Sequence, residues 1–147
     1  MVELIPLLHP WIDQSRAPLY ELTFPPETTD QALTALCAAR ERWAVRANYR
    51  VAWVVNLAGV LQATANQRRL FGEHLKRFES HDKAYNQGSA LVVPNTFVRG
   101  IVTAVFWLNP PSFPNQCFAT PEAAREWAAE QLKAAGVTMP PPRTIRP

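Results

Sequence analysis

The sequence predicts an α/β fold: a mostly parallel sheet of four to five strands with helices packed on it, in the order β-β-α-β-α-β-α-β-α. Three observations predict it. Two runs, YRVAWVVNLAGV (49–60) and SALVVP (89–94), are apolar with almost no polar alternation, as strands covered on both faces are. Between the strands lie single stretches of helical period, and one-helix crossovers imply parallel pairing with right-handed connections. A chain of 147 residues, 48% hydrophobic and 18% charged, is large enough to bury one core without a metal or a disulfide.

Residues 2–8 (VELIPLL) and 19–24 (LYELTF) alternate apolar and polar positions and read as a loose hairpin around HPWIDQSRAP, with Pro6 placing the first at an edge. In PPETTDQALTALCAARERWAV, Thr28 stands three residues before Gln31, a capping-box spacing, and Ala32, Leu33, Leu36, Cys37, Arg40, Trp43 and Ala44 fall near one helical face. The run 49–60 is the central strand. In LQATANQRRLFGEHLKRFESHDKAYNQG, Thr64 or Asn66 caps a helix whose inner side carries Leu70, Phe71, Leu75 and Phe78, and Gly88 suits its stop. After the strand 89–94, Asn95 caps a short apolar helix, and residues 116–120 (QCFAT) form a further strand. The last helix is opened by Thr120, Pro121 and Glu122 and closed by Gly136. Residues 1–137 therefore read as a single domain, and the proline-rich 138–147 as a flexible tail.

Composition narrows the function. The net charge of +3 rests on arginine-rich stretches, Arg40, Arg42, Arg46 and Arg50 in one and Arg68, Arg69, Lys76 and Arg77 in the other, but no nucleic-acid motif accompanies them, so they read as solvated helix faces. No run approaches the ~20 apolar residues of a membrane span, and the N-terminus lacks the basic start and cleavage site of a signal peptide. Cys37 and Cys117 read as small buried hydrophobes of a reducing compartment, which points to the cytoplasm. No acidic residue occurs between Glu41 and Glu73 or between Asp82 and Glu122, the segments holding the central strands and their turns. Ligands of such sheets bind at the carboxyl ends of strands, where acid–base chemistry or magnesium binding calls for a carboxylate. The expectation is a protein that is not an enzyme and needs no cofactor. His74 and His81, seven apart on one helix, lack a third ligand for zinc and read as helix-surface residues.

Two candidate sites remain. Thr64, Asn95 and Thr96, with Arg99 one turn in, sit at helix N-termini after central strands, where an anion such as phosphate finds free N–H donors and a fixed charge; the alternative is that these residues cap their own helices. At 100° per residue, Val98, Ile101, Val102, Val105 and Leu108 form the inward stripe of the helix after Asn95. Thr96, Arg99, Gly100, Thr103 and Trp107 form the outward one, with Phe97, Ala104 and Phe106 on its flanks. An outer face so small, weakly polar and edged with aromatics suits a protein interface, with Phe97, Arg99, Thr103, Phe106 and Trp107 as its residues; alternatively the loop NPPSFP and the N-terminal segment cover it.

The run ALVVPNTFVRGIVTAVFWLNPPSFPNQCFATPEAAREWAAEQL, with a strand ending in Pro-Asn, a short apolar helix beginning near Arg99 and CFATPEAAREWA entering the final helix, resembles the STAS domain of sulfate transporters and anti-sigma-factor antagonists. The resemblance covers roughly residues 19–137. Antagonists of that family carry Asp-Leu at a strand end followed by Asp-Ser-x-Gly, whose serine is phosphorylated. Here the strand ends in Asn56-Leu57 and the turn reads QATAN, so Thr64 is the hydroxyl nearest to such a phospho-switch. The resemblance implies a non-enzymatic bacterial regulatory or scaffold protein acting through protein contacts, including a homodimer. The alternative is a carrier with an apolar pocket under the helix after Asn95 that takes a small apolar or lipid-like molecule.

Overall fold

The structure, a computed structural model, describes residues 3–139. Its elements run β1 (Ile12–Arg16), β2 (Leu19–Thr23), α1 (Asp30–Arg46), β3 (Val51–Asn56), α2 (Ala65–Tyr85), β4 (Asn86–Val92), α3 (Thr96–Leu108), β5 (Asn115–Phe118) and α4 (Pro121–Ala134). The five strands form one sheet in the order β1-β2-β3-β4-β5, antiparallel between β1 and β2 and parallel from β2 to β5.

This order explains the layering. The crossovers through α1, α2 and α3 all step the same way across the sheet, so a common hand puts all three helices on one face. Tyr20, Leu22, Val51 and Trp53 turn toward that face and pack with Leu33, Leu36, Trp43 and Phe78. The alternate residues Leu19, Ala52, Val54, Ala90 and Val92 turn the other way and meet Ala124, Ala128 and Leu132 of α4. Glu21 of β2 ties that second layer down, taking hydrogen bonds from Arg125 Nε at 2.6 Å and Nη2 at 2.9 Å. Among the described residues no helix is long and apolar enough to cross a membrane.

Four expectations about elements need correction. Residues 3–8 are not a strand: Pro6 has no N–H to give a ladder, while Ile5 N–H donates to Tyr49 Oη and Leu7 N–H to the Gln14 side chain. The edge strand is Ile12–Arg16, inside the segment read as a loop, and only one of its faces meets the core. The cap of α1 is Thr29, not Thr28, and its hydroxyl accepts from Ala32 N–H at 3.0 Å. Gly88 does not stop α2. The helix ends at Asn86, whose side chain gives hydrogen bonds to Asp82 and Ser89 and accepts one from Gly88 N–H, turning the chain directly into β4. Gly88 serves packing instead: a Cβ there would lie 2.8 Å from Trp127 Cη2 of α4.

The other caps stand as expected. Thr64 and Gln67 form a full capping box on α2, Asn95 accepts from Val98 N–H, Thr120 from Ala123 N–H, and Gly136 takes a φ of 81° after α4. Val137 and Met139 pack on the α4 layer, so the start of the expected tail at residue 138 falls inside a packed stretch. The rest of that expectation, 140–147, lies outside the described residues.

Candidate functional site

Between the sheet and helices α1, α2 and α3 runs a cavity that leaves the centre of a water molecule about 120 Å³ in which to move. Its mouth lies at the carboxyl edge of the strands, among Phe24, Leu57, Val60, Phe106 and Phe113. Its wall along α2 extends from Gln67 through Phe71 and Leu75 to Asp82. Those ends are fifteen residues apart, roughly 22 Å at the helical rise. A volume so small over that length describes a narrow slot. Val55, Leu91, Ile101, Val102 and Val105 make the middle apolar.

The far end is polar. Arg40 of α1, 4% exposed, lies with its guanidinium carbon 4.4 Å from the ring centres of both Trp53 and Phe78. Its Nη1 donates to His74 Nε2 at 2.7 Å, while its Nε and the Trp53 indole nitrogen have no hydrogen-bond partner among the described residues. Arginine can only donate, so His74 Nε2 must accept and the ring proton sits on Nδ1, which donates to Glu41 Oε2 at 2.7 Å. Glu41 also takes a hydrogen bond from Arg77 Nε at 2.9 Å. Burial and the neighbouring Arg40 charge push His74 down to about 3, so the ring is neutral.

Asp82 and Ser89 complete this end. Ser89 neighbours Trp53 in the parallel register and shares its face of the sheet. Burial pushes the Asp82 carboxyl up to about 6, against the pull of Arg40 and of the Asn86 amide. Among the described residues no hydrogen bond or ion pair joins Arg40 to Asp82, although both line the cavity.

Sequence reasoning missed this cluster. His74 and His81 are buried rather than on the helix surface: His81 Nε2 donates to Ala47 C=O at 2.8 Å, and both rings pack against Phe78. Arg40 is likewise buried and not part of a solvated basic face. The signal was the spacing. Arg40 falls on the stripe of Leu33, Leu36, Cys37 and Trp43, and His74, His81 and Asp82 fall on that of Phe71, Leu75 and Phe78. Cys37, on the same stripe, is pushed up to about 11 by burial, which leaves its thiol protonated and unreactive.

The residues proposed from sequence lie elsewhere. Thr64 is engaged by its own helix, accepting from Gln67 N–H at 3.0 Å, and Asn95 by Val98 N–H at 2.9 Å. Thr96, Arg99, Gly100, Thr103, Ala104 and Trp107 border a shallow open groove on the outer face of α3. Trp107 is 85% and Phe97 51% exposed. The NPPSFP loop does not cover that face: Phe113 packs edge-on against Phe106, at the cavity mouth. Ile5 of the N-terminal segment packs by Trp43 and Tyr49, on the far side of α1. Phe106 thus belongs to the cavity wall, while Phe97 and Trp107 stand in solvent.

No family model, curated protein or solved structure matches the chain, so its function is read from this geometry.

Proposed function

We propose that the protein is a non-enzymatic ligand-binding regulatory protein of STAS-like architecture, in which the cavity under α3 holds a narrow apolar molecule. The cavity is the observation that carries this reading. Its lining is mostly apolar, so a bound hydrocarbon would remove that surface from water, and its length along α2 suits an alkyl chain. Free cysteines at 37 and 117 support a reducing, cytoplasmic setting.

The test is direct. Protein purified from its own host and extracted with organic solvent should release a chain-like molecule at near-stoichiometric yield. Val102→Trp, which fills the slot, should release none while keeping its circular-dichroism spectrum. Protein that releases nothing and whose melting temperature does not rise with 1-octanol overturns the reading.

A second reading, contact with a protein partner or with a second copy as a homodimer, is favoured by Trp107 and Phe97 standing in solvent on the outer face of α3. Because α3 is also one wall of the cavity, the two readings are compatible: one face of the helix senses the ligand and the other carries the contact. An anion or phosphate at Thr64, Asn95, Thr96 and Arg99 has less support, since Thr64 and Asn95 already serve as caps.

A further inference from the structure

We infer that the ligand of this cavity carries an uncharged head that both donates and accepts hydrogen bonds, a primary alcohol or a primary amide, and that this head sits between Arg40, Asp82 and Ser89 with its alkyl chain running toward Phe106. The inference rests on the ligand-binding reading above and names the chemical class the same site selects.

Three observations carry it. The inner end of the slot is built from polar side chains that are at least nine-tenths buried, with Arg40 4%, Asp82 3% and Ser89 4% exposed, so it is a prepared surface and not a wet rim. Arg40 has an Nε–H without an acceptor among the described residues, and an unpaired buried donor is costly enough that an arriving oxygen is favoured. Finally, the two charges facing the cavity are opposite and attract each other, yet among the described residues no hydrogen bond or ion pair joins them, and the Asp82 carboxylate takes a hydrogen bond from Asn86.

That last feature selects the head group. A carboxylate would gain from Arg40 and lose to Asp82, and an ammonium would do the reverse; each would bring a third charge to a buried end where charges are costly to desolvate. A hydroxyl or amide accepts from Arg40 with its oxygen and donates to Asp82 with its hydrogen, and Ser89 can serve it either way. The other charged groups near this end, Glu41 and Arg77, already pair with each other, and His74 is neutral between Arg40 and Glu41. At the mouth, Arg68 Nη1 donates to the Ala63 carbonyl at 2.6 Å and keeps its charge, so a carboxylate that seats there in the reverse orientation is told apart by its response to Asp82→Asn, which only a head at the inner end feels.

The experiment compares octane, 1-octanol, octanamide, octanoate and octylammonium on the wild-type chain at pH 7.5 by calorimetric titration. The alcohol and amide should bind at least about tenfold more tightly than either ion and than octane. In Asp82→Asn, octanoate should gain about tenfold relative to 1-octanol, because the repelling carboxylate is gone. Equal binding of all five compounds leaves the apolar cavity standing and overturns the head-group assignment. Octanoate binding as tightly as 1-octanol to the wild type overturns it too. Binding of none of them overturns both this inference and the reading it rests on. Should Asp82→Asn fail to fold, the wild-type series alone decides.

Discussion

His74 Nε2 lies 2.7 Å from Nη1 of Arg40, deep between α1 and α2, and accepts a hydrogen bond that only a neutral ring can accept. This fixes how stability responds to acid. The folded-state value of His74 is depressed to about 3 from 6.5, so the unfolded chain takes up a proton that the folded chain refuses. The stability due to His74 is present above pH 6.5 and is lost as the pH falls toward 3. Asp82 has the opposite sign. Its value is raised from 3.8 to about 6, so its contribution is present at low pH and lost as the pH rises through 6. Between pH 7 and pH 4.5 the two effects are each on the order of 2 kcal/mol and nearly cancel. Burial lowers His81 as well, which adds an acid loss of the same sign as that of His74, so urea unfolding of the wild type should show a net loss of stability from pH 7 to pH 4.5. His74→Gln, which keeps an acceptor for Arg40 but cannot be protonated, should lose less than the wild type over that range. Asp82→Asn should lose more. Parallel pH profiles for all three proteins would show that neither group titrates as stated.

The Arg40–His74 pair also predicts a coupling. Arg40→Met removes the donor and leaves His74 Nε2 buried without a partner; His74→Leu leaves Arg40 Nη1 in the same state. Each single change should cost about 2–3 kcal/mol. The double variant replaces both partners with apolar groups of similar volume, so it should cost less than the sum of the singles by at least about 1 kcal/mol. Additive losses in chemical unfolding would mean that the two residues are stabilised independently.

The layer on the other side of the sheet gives a steric prediction. A Cβ on Gly88 would sit 2.8 Å from Cη2 and 2.9 Å from Cζ3 of Trp127, atoms of a large ring that already packs against Phe118. Gly88→Ala should therefore destabilise by about 1–3 kcal/mol, although alanine suits a strand better than glycine. Phenylalanine lacks those two atoms, so Trp127→Phe should recover most of the loss in the double variant. Unchanged melting of Gly88→Ala would mean that α4 shifts freely over β4.

How much of this was legible beforehand follows from what each residue type reveals alone. The central strands, α2, α3 and α4 announce themselves because the caps Thr64, Asn95 and Thr120 and the apolar runs between them act locally, within one turn or one strand. β1 did not, because IDQSR buries one face only and its pairing is set by β2 and by the turn, not by its own pattern. The polar end of the cavity was hidden for a different reason. Arg40, His74 and Asp82 are charged or titratable types that usually face water, and only the contact of α1 with α2 across 34 positions of sequence turns them inward. Their helical phase sets them on apolar stripes while their residue type favours water, and in this fold the phase prevails.

Helix α3 has two faces, and its two proposed roles are separable by substitution. Val102 and Val105 line the slot, whereas Trp107 stands 85% exposed on the opposite side beside Arg99 and Thr103. Trp107→Glu removes an exposed aromatic without opening a cavity, so its melting temperature should stay near that of the wild type. If the outer face carries an interface, an aromatic anchor of this kind contributes about 2 kcal/mol or more, and self-association measured by sedimentation, or capture of the partner, should weaken by roughly thirtyfold. The release of an extracted ligand should be unaffected. Val102→Trp should show the reverse, losing the ligand while keeping the outer aromatic in place. A Trp107→Glu variant that unfolds would place the ring in the core, and one that associates as the wild type does would remove the outer face from function and leave the cavity as the working part of the helix.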